Sequence, residues 1–278
     1  MDKEVPIQTQ HLFPVLDNKL MELLHSLTPE EWQAQTVAKL WKVKDVAAHL
    51  LDGNIRALSI QQEKYFGEIP PAITSYNDLV SWLNQLNADW VKAAKRISPS
   101  VMILLHEATG KQTCEYFASV DPFEKAIFAV SWAGEDESLN WMHIAREYTE
   151  KWLHQQQIRD AVNKQGIMTK ELFYPFIDTF MYALPYTYKN VVAEEGTVIQ
   201  VNINTEIGGI WYLIKDAAGW RLSKSVNHEI IAAITIDPDT AWKLFSKSLR
   251  AEDVMKNIAI AGDEKLAVVT LEMISVMA

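Results

Sequence analysis

Glu150 and His154 stand four residues apart, so on a helix they project from the same side, one turn from each other. His49, far upstream, can bring a second imidazole from a different helix. Two histidines and one carboxylate on a divalent ion leave coordination positions open, which suits catalysis better than structural stapling. The same helix carries a second pair. His143, Glu147, Glu150 and His154 occupy i, i+4, i+7 and i+11, within roughly 60° of one another around the helix. On an ordinary reading this is a solvated face, with Glu–His and Glu–Arg pairs worth a few tenths of a kcal/mol each. On the sharper reading one pair faces the interior, where an unpaired carboxylate is costly and a cation offsets the cost. Spacing does not choose between His143/Glu147 and Glu150/His154. It does exclude the zinc-protease motif, because no His-Glu-x-x-His occurs.

Other reactive groups offer less. Cys114 sits in Gln112-Thr113-Cys114-Glu115, where an acidic neighbour raises a thiol pKa, so it reads as a structural thiol. His11, His25, His106 and His228 read as structural or exposed. Ser223-Lys224-Ser225 has no base at catalytic spacing, and no glycine-rich phosphate loop follows a strand.

The elements that must position these groups are helical over the first part of the chain. Leu20, Leu23, Leu24 and Leu27 keep helical spacing up to Thr28-Pro29-Glu30-Glu31, which carries a capping threonine and starts a short new turn. A second helix, with His49 on the border of its apolar stripe, fits residues 42–64. Gly67 and Pro70-Pro71 break the chain, and a third helix spans 76–97, stopping before Pro99. Asp121-Pro122-Phe123-Glu124 repeats the capping pattern, and a long fourth helix covers 137–162. Cys114 then falls in the connection between the third and fourth helices. Four helices with one long connection describe a bundle. After a further helix over 172–188, strand-like runs follow at 197–204, 210–215, 220–223, 230–236 and 257–261, with helices after Asp237 and Asp263. The expected division is 1–168 for the bundle and 169–278 for an α+β domain.

Composition narrows the function classes. At 278 residues the chain suits two domains of roughly 100–150 residues each. A net charge of −10 argues against nucleic acid and anionic membranes as partners. No apolar run reaches the ~18 residues of a membrane span, and the start lacks a signal-peptide pattern. The single cysteine fits a reducing compartment, so a cytoplasmic location is expected, as a monomer or homodimer.

Leu27-Thr28-Pro29-Glu30-Glu31-Trp32 followed by Leu40-Trp41-Lys42-Val43-Lys44-Asp45-Val46-Ala47-Ala48-His49-Leu50 resembles the opening of the DinB-like bundle proteins. More narrowly, it is similar to the mycothiol-dependent maleylpyruvate isomerase N-terminal branch. Glu150, His154, Ile158, Arg159 and Ala161, with Ser131-Trp132-Ala133-Gly134 ahead of them, fit that branch's Glu-x-x-x-His pattern. The resemblance implies an up-down four-helix bundle followed by a small α+β, sterol-carrier-like domain. It implies His49, Glu150 and His154 as metal ligands, with His143 and Glu147 flanking. Many relatives carry an aspartate three residues after the second histidine, where this chain has Gln157. Arg221 and Arg250 are the arginines available for the catalytic arginine that the branch takes from its second domain, and the resemblance singles out neither.

The function so implied is that of a thiol-dependent isomerase or S-transferase holding a divalent metal, zinc or alternatively nickel or iron. A low-molecular-weight thiol, bound as thiolate, adds to a cis double bond, the adduct rotates, and elimination gives the trans acid. A metal-bound water is the other nucleophile on offer. The substrate is then a small molecule, an unsaturated dicarboxylic acid or another electrophile, and an acidic substrate needs a local arginine. The contrasting reading is a non-catalytic binding module. There a small apolar ligand sits among Trp211, Trp220 and Trp242 of the second domain, and the bundle is scaffold.

Overall fold

The computed structural model describes residues 4–276. The N-terminal part contains α1 (Phe13–His25), α2 (Val43–Arg56), α3 (Tyr76–Ala94), α4 (Pro99–Ser119) and α5 (Asn140–Val162). Helices α1, α2, α4 and α5 pack in a closed cycle and form a four-helix bundle. Their shared interior includes Leu20, Leu24, Val46, Leu50, Met102 and Ile158.

Two sequence expectations change here. The chain from Pro99 to Ser119 is a helix and a bundle member, so Cys114 and His106 lie inside α4 and not in or near a connection. Pro99, expected to stop the preceding helix, instead starts this one. Proline at the first helical position wastes no hydrogen bond, and Ser98 Oγ accepts from Val101 N at 3.4 Å. The helix expected third, α3, lies outside the bundle against α2, where Trp90 Nε1 donates to the Ala48 carbonyl at 2.7 Å.

Helix α2 begins from an extended Lys42 whose N–H donates to Asp45 Oδ2 at 3.1 Å. It runs on into a π-helical stretch, Ala57–Gln62. The wider turn matters for register. Twelve residues of regular α-helix would leave Gln61 roughly 120° from His49, whereas one extra residue in the turn brings it to roughly 20°. His49 and Gln61 therefore share one face of α2 at the seam with α5, which runs antiparallel with His154 and His143 opposite them, and Lys151 reaches Asn54 between the two pairs.

Helix α5 is buried on two sides, against α2 and against α6 (Lys170–Met181). Trp152 stacks on Phe176 with ring centroids 4.0 Å apart and meets Trp242 edge-on at 6.5 Å. After the short α7 (Leu184–Thr187) comes a five-stranded sheet. Its strands are β1 (Val198–Ile203), β2 (Gly209–Asp216), β3 (Gly219–Ser223), β4 (Ala232–Ile236) and β5 (Ile258–Gly262), in the order β3-β2-β1-β4-β5. Only β1 and β4 are parallel; the other neighbours are antiparallel. The β2–β3 turn is tied by Asp216 Oδ1, which accepts from Ala218 N and Gly219 N, and Gly219 takes φ 143°. Helices α8 (Pro238–Phe245), α9 (Ala251–Val254) and α10 (Glu264–Val268) complete this α+β part. One apolar cluster runs without interruption from Phe13 and Trp152 through Phe176 to Trp211 and Trp242.

Trp211 and Trp242 are fully buried and Trp220 nearly so. Their indole N–H groups donate to Asp178, Asp239 and the Val191 carbonyl. These rings fill the core. Among the described residues no helix is long and apolar enough to cross a membrane.

Candidate metal centre

Where α2 faces α5, His49, Glu150 and His154 each bring one donor atom to a common point, all within 4.8 Å of one another. Among the described residues this is the group of three that the fold assembles. The two imidazoles meet edge-on with centroids 4.5 Å apart, and Trp41 lies against both, at 4.9 and 6.1 Å. A cavity of about 30 Å³ opens at the donors, lined by His49, Gly53, Glu147, Glu150, Lys151 and His154. That is ion-sized.

The protonation pattern bears on what can sit there. Burial, then the neighbouring His154 and Arg56, hold the His49 imidazole well below the usual histidine range, so it is neutral. Its Nδ1 is buried without a hydrogen-bond partner. His154 donates from Nδ1 to Gln157 Oε1 at 2.9 Å, which leaves Nε2 facing Glu150 Oε2, 3.3 Å away. A lone pair and a carboxylate oxygen facing each other repel unless a cation lies between them. A proton can fill that place, and so can a divalent ion that also takes up the imidazole of His49. Imidazole and carboxylate donors suit a first-row ion, and two histidines with one carboxylate leave it open positions.

The second pair on α5 is used differently. His143 Nδ1 accepts from Arg146 Nη2 at 3.0 Å, and its Nε2 donates to Gln61 Oε1 at 2.9 Å. Both ring nitrogens are thereby committed. Burial, then Arg146, lower its pKa to about 4. Burial pushes Glu147 upward, but Arg146, His143, Arg56 and Lys151 outweigh it and the net shift is downward. Glu147 is ion-paired with Arg146 and accepts from Gln61 Nε2 at 3.4 Å. It borders the small cavity without being one of the three converging donors. A wider cavity, about 630 Å³, opens beside Gln61 and His143 at the other end of this seam.

Lys151 was not singled out by spacing. Its ammonium is buried in the bundle, bonded to Asn54 Oδ1, and burial lowers its pKa against the opposing pull of Asp17. Gln61 was missed because the π-helical turn alone puts it on the seam. Cys114 is buried, and burial first, then Asp17, push its thiol up to about 11, so it holds no thiolate at neutral pH. The adjacent Glu115 has a smaller effect. Arg221 pairs with Asp216 at 3.2 Å and Arg250 with Glu252 at 3.6 Å, and neither lines the cavity at the donors.

Comparison with known proteins follows the same lines. Over 94% of both chains the fold superposes on a crystal structure of the mycothiol-dependent maleylpyruvate isomerase, with a TM-score of 0.55 and 9% sequence identity. A histidine-to-alanine variant of that enzyme superposes equally well. At this identity the likeness establishes the fold. Sterol carrier protein 2 like 2 from Aedes aegypti overlaps 35% of this chain and 95% of its own, at 22% identity and a TM-score of 0.27, too slight to argue from. No curated protein sequence matches the chain. The family model described as the mycothiol maleylpyruvate isomerase N-terminal domain matches residues 14–159, more than half of the chain. The chain belongs to that family.

Proposed function

We propose that His49, Glu150 and His154 hold a divalent cation, zinc first and nickel or iron as alternatives. On this reading the chain is a thiol-dependent isomerase or S-transferase acting on a small electrophilic acid. The observation that supports it best is the meeting of three side chains at one half-buried point, where a donor atom from each of His49, Glu150 and His154 lies within 4.8 Å of the others beside a small cavity. A divalent ion held there would lower the pKa of a water or thiol that reached it.

The chain's own residues supply the setting. Gln157 orients His154, and Trp41 covers both imidazoles. Arg146 neutralises Glu147, so the second carboxylate does not compete for the cation. Cys114 cannot act as nucleophile, because its proton is held to about pH 11. The nucleophile must then come from outside, which favours a low-molecular-weight thiol of the mycothiol kind as co-substrate. We extend the proposal to the division of the chain, 1–168 as bundle and 169–278 as α+β domain, and to a cytoplasmic setting.

The test is direct. The purified protein, loaded with zinc, is offered a thiol and a cis-unsaturated dicarboxylic acid. Cis-to-trans conversion that requires both thiol and metal, and is lost in His154→Ala, is the expected result. Metal uptake without any thiol-dependent turnover across such acids would confine the protein to metal binding.

A further inference from the structure

Gly53 lies one turn beyond His49 on α2 and forms part of the wall of the small cavity. A glycine inside a helix costs about 1 kcal/mol relative to alanine. Nothing in the packing explains that cost at this position, since a Cβ built there meets no atom within 4 Å. Gly110 on α4 is a contrast. Its missing Cβ would lie 2.5 Å from Asp17 Oδ1, so packing explains that glycine. At Gly53 the consequence of having no side chain is open space on the approach to the donors.

Seven residues from His49, on the same face of α2 and about 10 Å along it, is Arg56. Its side chain is 37% exposed, and its ion-pair partner Asp52 stands 3.8 Å away, beyond hydrogen-bond range. The guanidinium charge acts at both His49 and Glu147. Around the cavity Glu147 is matched by Arg146, and Lys151 is opposed by Asp17. Arg56, held only at 3.8 Å by Asp52 and partly exposed, is the loosely paired cation on this face of α2, placed to meet an anion.

We infer that a carboxylate-bearing ligand reaches the donors over Gly53 and is anchored by Arg56, along the His49–Gly53–Arg56 face of α2. This rests on the metal-site reading above. It assigns the bundle itself, through α2, the basic contact that an acidic ligand needs.

The full-length protein loaded with cobalt(II) supplies the test, with the sulfur-to-cobalt charge-transfer absorption as readout. Two thiols of similar size serve as probes, mercaptopropionate with a carboxylate and mercaptoethanol without. The expected wild-type preference for the carboxylate thiol is about tenfold. Arg56→Gln should abolish that preference with cobalt affinity unchanged, and Arg56→Lys should keep part of it. Comparing the ratio between variants cancels the different acidity of the two thiols. Gly53→Leu should weaken both thiols by about tenfold or more, again without loss of cobalt, whereas Gly53→Ala should bind them normally. A preference that survives Arg56→Gln, or a Gly53→Leu protein that binds cobalt and both thiols as well as wild type, overturns the inference while leaving the metal site standing. Failure of the wild-type chain to take up cobalt at all would remove both.

Discussion

Gln157 Oε1 accepts the Nδ1–H of His154 at 2.9 Å, and this one bond decides which ring nitrogen faces Glu150. Partners of this kind fix the tautomer and orientation of a ligating histidine and raise its basicity. An amide oxygen is a weaker acceptor than a carboxylate, so here the ring is oriented with less added basicity. Gln157→Leu should therefore lower zinc affinity by about 10- to 100-fold, and Gln157→Glu should raise it. Competition titrations against a chromogenic chelator give both values. Equal affinity in all three proteins would mean that Gln157 does not act on the site.

The two glycines inside bundle helices should respond oppositely to the same change. Gly53→Ala adds a methyl group to open space and removes a helix penalty, so it should stabilise the fold by up to about 1 kcal/mol. Gly110→Ala forces a methyl group against both carboxylate oxygens of the half-buried Asp17, at 2.5 and 2.6 Å, and should cost about 1–3 kcal/mol. Urea unfolding of the two variants beside wild type measures both signs.

His106 on α4 has a folded-state pKa of about 4, set by burial, with the Ala47 carbonyl opposing and Lys151 adding to the shift. The unfolded ring titrates near 6.5. The stability contribution of the neutral ring is therefore complete above about pH 6.5 and is lost as pH falls toward the folded value. Between pH 7 and pH 5 the loss from this one group should be about 2 kcal/mol. His106→Gln keeps a donor for the Ala47 carbonyl and removes the titration, so its stability should fall less over the same interval. Chemical denaturation at the two pH values checks it. Identical pH slopes in the two proteins would show that the ring is not held neutral.

Much of this arrangement is legible in the sequence. The strand positions follow from the short strand-like runs at 197–204, 210–215, 220–223, 230–236 and 257–261, separated at Gly208-Gly209 and Ala218-Gly219. The helix carrying Glu150 and His154 follows from its length and period, and His49 from the apolar stripe of α2. Helix α4 was hidden because its character is unusual for a bundle member. It buries Thr113, His106 and Gly110 while exposing Leu104 and Val101, so no clean apolar stripe marks it. Its start signal, Ser98-Pro99, also reads as a stop for the preceding helix. The choice between the two Glu–His pairs was likewise not available from spacing. It depends on Gln61 and Arg146 occupying both nitrogens of His143, and Gln61 reaches that position only through the π-helical turn after α2.

Elemental analysis of the purified protein, followed by zinc titration of wild type and His154→Ala, probes the convergence of His49, Glu150 and His154 most directly. About one divalent ion per wild-type chain is expected, with tight rebinding after chelation and none in the variant. A wild-type chain that takes up no zinc, nickel or iron at low micromolar concentration, or a His154→Ala chain that binds as tightly as wild type, would contradict it.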